Sequence, residues 1–176
     1  MGNNVGYFPV GWRSRVNTIR YAGWDYAQDA VYFVTTCTQH RERLFGHVED
    51  QQMILNEYGR CVESAWLELA RRFPSVDLDV FVIMPDHMHG IIALKNSGTT
   101  LTAVGAGSPR PAPTLGNAMA YFKYMATRYI NEIRVREGAP VFQRGYHERI
   151  IRDDSEWNRI SIYVQENPEK WQINAR

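Results

Sequence analysis

The run IMPDHMHGII places His87 and His89 on either side of Met88. Side chains alternate across a strand, so on a strand both imidazoles would share one face while Met88 takes the other and enters the core. Two imidazoles on one face can hold a single divalent ion. A lone His-x-His also fits a pair of ordinary, hydrogen-bonded polar residues, so the motif leaves both readings open. Near the C-terminus, Tyr163 and Asn167 stand four apart in YVQENP. On a helix that spacing puts them on one face, a turn apart, where a phenol and an amide oxygen can approach the same ion or phosphate. The plain alternative is a partly buried tyrosine above a helix-ending Asn-Pro.

Other residues could take part. His147 could be a fourth ligand, a phosphate contact or a surface histidine. Asp86 could orient the neighbouring imidazole, although a turn would equally explain it. Tyr121, Tyr124 and Tyr129 are further phenols, but Tyr129 lies on an apolar stripe and the other two lack a matching amide one turn on. Lys123, Arg128, Arg144, Arg149 and Arg152 could contact phosphate or be solvated surface.

The elements that must carry these residues can be read from periodicity. Residues 30–38 (AVYFVTTCT) are β-branched and aromatic and predict a strand. Over residues 50–72, Ile54, Tyr58, Cys61, Val62, Ala65 and Leu69 recur at helical spacing. Two apolar runs, Val80–Met84 and Gly90–Leu94, are joined through Pro85-Asp86, which predicts a hairpin. A second helix is expected from about Thr114 to Arg136, with Leu115, Ala118, Met119, Phe122, Met125, Tyr129, Ile130 and Ile133 on one stripe. Tyr146–Arg152 reads as a strand. The last helix should start near Asp153, where Asp153 and Glu156 have capping-box spacing, and end before Pro168. Trp157, Ile160 and Val164 mark its buried stripe. The order β–α–β–β–α–β–α fits an α+β fold close to a ferredoxin-like plan, an antiparallel sheet with helices on one side. Residues 1–28 read as an extended arm, residues 29–176 as one domain, and residues 96–113, rich in Gly, Pro, Ser and Thr, as a flexible loop within it.

Composition bounds the classes of function. At 176 residues, 44% hydrophobic and 22% charged, the chain suits one globular domain with a real core. It has no apolar run of membrane-spanning length, so no membrane association is expected. The first residues lack the apolar stretch of a secretory signal, and two cysteines, Cys37 and Cys61, are too few for a disulfide framework. A cytoplasmic, reducing setting is the expectation. Net charge is only +1, yet all but three of the 20 basic residues are arginine. Arginine offers a planar fork suited to phosphate, and ten tyrosines and five tryptophans could stack on unpaired bases. Core aromatics and a solvated arginine surface would produce the same composition.

Taken together and in order, YFVTTCTQHRERLF, VIMPDHMHGIIAL and FQRGYHERIIRDDSEWNRISIYVQENPEKW give the chain a specific resemblance. It resembles the single-tyrosine HUH transposases, and within them the REP-associated tyrosine transposases. His87, Met88 and His89 satisfy the His–bulky apolar–His motif, and Tyr163 stands four residues before the amide of Asn167.

The resemblance implies a chemistry. His87, His89 and the side-chain oxygen of Asn167 would bind Mg²⁺ or Mn²⁺, and mixed N/O ligands suit a hard, hydrated ion while leaving zinc open. Tyr163 would attack a phosphodiester of single-stranded or hairpin DNA, leaving a 5′-phosphotyrosine and a free 3′-hydroxyl. The implied function is DNA strand cleavage and rejoining in DNA transposition. Relatives include dimers, so a homodimer is an expectation. The alternatives are a domesticated, non-catalytic DNA-binding protein and a hydrolase in which water attacks. Retention of both histidines, Tyr163 and Asn167 argues against the first, and the second leaves Tyr163 without a task.

Overall fold

The computed structural model describes residues 30–95 and 113–174. The arm expected over 1–28 and all but the last residue of the loop expected over 96–113 lie outside them. Four strands form the main sheet: β1 (Ala30–Cys37), β4 (Val76–Met84), β5 (His87–Leu94) and β6 (His147–Ile151). They stand in the order β4-β5-β1-β6, every neighbouring pair antiparallel. With helix α1 (Glu57–Arg72) between β1 and β4, and α2 (Leu115–Arg134) between β5 and β6, this is the split β-α-β topology of the ferredoxin-like plan.

The chain also forms elements that were not expected. Where one helix was predicted over residues 50–72, the chain first forms a hairpin of β2 (Gly46–Glu49) and β3 (Gln52–Leu55). Asp50 and Gln51, at φ 47° and 62°, supply the turn. Both central residues of a tight two-residue hairpin take positive φ in the turn type that matches strand twist. Ile54 therefore belongs to a strand, and α1 starts only after Asn56, whose side chain accepts a hydrogen bond from the Gly59 amide at 2.9 Å.

The second surprise is on the far side of the sheet. Its even-numbered β5 positions, Met88 and Ile92, join β1 Val34 and the buried faces of α1 and α2 in the larger core around Phe45, Trp66 and Phe122. The odd-numbered positions, Ile91 and Ala93, join Val31, Ile151 and the stripe Trp157–Ile160–Val164 of helix α3 (Asp154–Gln165) in a second core. Helices thus cover both faces, not one as expected. A periodicity of two on β5 with apolar residues at both parities is what a strand buried on both sides shows.

Helix α3 is tied down over its first turns. Asp153 accepts from the Glu156 amide at 2.8 Å as its N-cap, while Glu156 accepts from the Arg152 amide at 3.0 Å. Midway, Trp157 Nε1 donates to Asp79 Oδ2 at 2.9 Å. Asp79 lies in the β-bulge between Leu78 and Phe81, where the β4 ladder slips against β5. The helix ends before Pro168 as predicted, but only Glu166 separates it from the next one. Asn167 opens a further helix, α4 (Asn167–Asn174), with Pro168 at its start, where a missing N–H costs nothing.

Candidate active site

The register of the sheet assembles the site. Thr35 of β1 faces His89 of β5, and Cys37 faces His87. On the α3 face this gives a row of Thr35 and His89 beside Cys37 and His87, while Met88 points into the α1–α2 core. The split of His and Met between faces is the one strand alternation predicts. The two imidazoles are, however, not turned to solvent: each is only 6% exposed, roofed by the α3–α4 corner. Their ring centroids are 4.7 Å apart.

Each imidazole is held at Nδ1. His87 Nδ1 donates to Asp86 Oδ1 at 2.5 Å, and Asp86 Oδ2 pairs with Arg41 Nε at 3.1 Å. His89 Nδ1 shares a hydrogen bond of 2.7 Å with Thr35 Oγ1, and its ring stacks on Phe33 at 5.3 Å. Burial pushes the His87 imidazole below its usual range, against the opposing pull of the Asp86 hydrogen bond. Burial, reinforced by His87 and Arg41, pushes His89 down to about 3. Both rings are therefore neutral near pH 7, the form that ligates metals.

Tyr163 and Asn167 arrive from the α3–α4 corner. Tyr163 Oη is 3.4 Å from His89 Nε2, and its ring meets His89 at 5.3 Å and Phe33 edge-on at 6.1 Å. It is 40% exposed, so its oxygen can be reached from outside. Asn167 is 7% exposed and hydrogen-bonds His87. The Trp171 ring lies 5.6 Å from that of His87, under the guanidinium of Arg43. Lys170 reaches over the Tyr163 ring. The four residues singled out in the sequence, His87, His89, Tyr163 and Asn167, thus meet at one place.

Among the described residues, no three His, Cys, Asp or Glu side chains cluster as a metal site. The donor set that could hold an ion is two imidazoles and an amide. It fits a divalent cation chemically: both rings are neutral, and both Nδ1 atoms are held by protein partners. Nε2 is therefore the atom each ring would offer an ion, with Tyr163 Oη now beside that of His89 and the Asn167 amide bonded to His87. Partners of this kind at the second ring nitrogen are what orient ligating histidines.

The rival tyrosines lie elsewhere. Tyr121 and Tyr129 of α2 donate to the two oxygens of Glu68, at 2.8 and 2.9 Å, on the opposite face of the sheet. The Glu68 hydrogen bond raises the Tyr121 phenol, and burial with the same carboxylate raises that of Tyr129, which opposes phenolate formation. Tyr124 is exposed on the same helix. His147 is exposed on β6, directly across β1 from the His89 row. Of the basic candidates, Lys123 Nζ donates to the Gln143 and Gly145 carbonyls at 2.5 and 2.7 Å, so it clamps a loop. Arg128 pairs with Glu132 and Arg149 with Glu156. Arg144 and Arg152 are exposed. Thr35, Arg41 and Trp171 were not anticipated. Thr35 meets His89 only through strand register and Arg41 meets Asp86 only through a turn, and one of five tryptophans gives no signal of its own.

No family model matches the chain. A Haemophilus influenzae protein of uncharacterised function is 36% identical over 162 residues, 88% of this chain and 89% of that one. Among solved structures, a REP-associated tyrosine transposase bound to a REP hairpin aligns over 87% of this chain and 74% of its own, with a TM-score of 0.55 and 16% identity. A Deinococcus radiodurans protein assigned as a transposase aligns over 84% of this chain and 96% of its own, with a TM-score of 0.50 and 12% identity. The fold is that of the tyrosine transposases. The chain belongs to one family with the Haemophilus influenzae protein.

Proposed function

We propose that this protein cleaves and rejoins single-stranded or hairpin DNA as a transposase, with Tyr163 as the nucleophile and His87, His89 and Asn167 as ligands of Mg²⁺ or Mn²⁺. The observation that carries the reading is the approach of an accessible phenol to within 3.4 Å of a buried, neutral histidine pair. The REP hairpin held by the structural neighbour supports a folded single strand as substrate.

When bound, the ion would polarise the scissile phosphate and stabilise the charge that develops on it. The residues supply the rest. Tyr163 Oη gives up its proton and forms a bond to phosphorus as the bond from phosphorus to the 3′-oxygen breaks. The 3′-oxygen takes up a proton and leaves as a hydroxyl, while the phosphate stays on the 5′ side as phosphotyrosine. One phosphodiester replaces another, so attack by a 3′-hydroxyl restores the tyrosine and reseals DNA without ATP. Phe33 and the buried stripe of α3 hold the phenol in place, a contribution of orientation.

The test is covalent capture. End-labelled hairpin oligonucleotide incubated with the protein and Mn²⁺ should give a denaturation-resistant adduct, and peptide mapping should find it on Tyr163. Binding without an adduct would support a non-catalytic DNA-binding protein. Cleavage without an adduct would support hydrolysis by water.

A further inference from the structure

We propose that Arg41 and Asp86 form a relay that holds His87 in its Nδ1–H tautomer and presents Nε2 as a ligand for a divalent cation. The inference rests on the reading of His87 as a ligand, but its geometry is independent of that reading. An ionised carboxylate only accepts hydrogen bonds, so the 2.5 Å contact of Asp86 Oδ1 requires a hydrogen on His87 Nδ1. A neutral ring then carries its lone pair on Nε2. Arg41 Nε occupies the second carboxylate oxygen at 3.1 Å, which prevents Asp86 from turning away. The same guanidinium donates through Nη1 to Cys37 Sγ at 2.9 Å, and Cys37 stands opposite His87 in the β1–β5 register. Arg41 thus spans one acceptor on β1 and one in the β4–β5 turn with one planar fork, which a lysine ammonium does not do.

The backbone is bent to allow this. His40 and Arg41 take φ of 56° and 58°, consecutive non-glycine residues in the left-handed region. Strain of this kind persists where the surroundings enforce it, and it concentrates at functional sites. Here the buried Thr38 enforces it. Its amide donates to the Asp86 carbonyl at 2.9 Å, and its hydroxyl lies 2.8 and 2.9 Å from the carbonyl oxygens of Glu42 and Asp86. Asp86 is therefore gripped at its main chain by Thr38 and at its side chain by Arg41. A half-exposed arginine serving only solubility would need neither contact.

Two measurements on the full-length protein test the relay. Long-range ¹H–¹⁵N spectra of the metal-free protein, with His87→Ala to assign the resonance, should show His87 protonated on Nδ1 and bare on Nε2. Asp86→Asn should give a tautomer mixture and weaken Mn²⁺ binding, read from free-Mn²⁺ paramagnetic resonance, by about 10–100-fold. Arg41→Lys should shift both readings the same way by less, and melting curves would show that both variants fold. An Nε2–H tautomer in the wild type would overturn the relay, as would an Asp86→Asn protein with wild-type tautomer and affinity. A wild type that binds no Mn²⁺ would instead overturn the function proposed above and the ligand half of this proposal. The tautomer would still decide the positioning half.

Discussion

At Tyr163, one oxygen separates a nucleophile from a packing residue. Tyr163→Phe keeps the ring against Phe33 and His89, so melting should move little while the DNA adduct disappears at every Mn²⁺ concentration. Asn167→Ala leaves the proposed nucleophile and removes a proposed ligand, so activity should fall and partly return as Mn²⁺ rises, by mass action on a weakened site. A Tyr163→Phe protein rescued by metal would remove Tyr163 from the reaction. The histidines make a different prediction, about pH. In the metal-free protein the folded-state values of His87 and His89 are depressed, the latter to about 3, so below the unfolded value the unfolded chain binds more protons. Stability is fully present above about pH 6.5 and is lost as pH falls from there. Between pH 7.5 and 5 the loss should reach about 2 kcal/mol for His89, with a further loss of the same sign from His87. Urea titrations of His89→Gln should show a correspondingly shallower loss, and parallel curves for both proteins would contradict the burial argument. The four central residues were legible because period-two and period-four spacings are local. Thr35 and Arg41 were not, because Thr35 meets His89 across 54 positions of sequence and Arg41 meets Asp86 through a left-handed turn.

At the scale of elements, β5 carries the site because both its faces are buried for different purposes. Met88 is fully buried on the α1–α2 face, so Met88→Asp would place an unpaired carboxylate in that core and should cost several kcal/mol or prevent folding. Gly90, on the same face, meets Trp66: an added Cβ would lie 2.6 Å from its ring, with two further ring atoms within 3.2 Å. Trp66 is wholly buried against Phe122, so the ring has little room to yield. Gly90→Ala should therefore destabilise by about 1–3 kcal/mol, the usual cost of overpacking, seen as a lower urea midpoint. An unchanged midpoint would mean that the Trp66 pocket can relax. Strand, hairpin and capping signals were readable here because Pro85-Asp86 and Asp153 act through their immediate neighbours. The β2–β3 hairpin was hidden because Asp50-Gln51 is an uncommon positive-φ pair and Ile54 happens to continue the periodicity of α1. The α3–α4 corner was half visible: Pro168 marks a break, but a proline at N1 also begins a helix.

For the whole molecule, the sheet divides two tasks, with α1 and α2 building the main core on one face and the histidine site lying on the other. Helices on both faces could not be read from sequence, since the stripe Trp157–Ile160–Val164 does not say which face it covers. With a net charge of +1, the protein has little overall field to draw in DNA, so the proposed binding would depend on where single arginines stand. Arg144 is exposed, and the Gln143 amide beside it donates to the carbonyl of Cys37, the residue opposite His87. The carbonyls on either side of Arg144, from Gln143 and Gly145, both accept from Lys123, so the loop presents Arg144 at the histidine end of the sheet. Arg128 lies on α2, across the sheet and paired with Glu132. Hairpin DNA affinity measured over a range of salt should therefore respond differently to the two residues. On single-stranded DNA the log–log slope changes by about 0.7 for each phosphate that the protein no longer neutralises. Arg144→Ala should flatten the slope by about that amount and weaken binding, whereas Arg128→Ala should leave both unchanged. Equal effects from the two substitutions would mean that the DNA strand does not follow the histidine face, and a substrate path along that face would be ruled out.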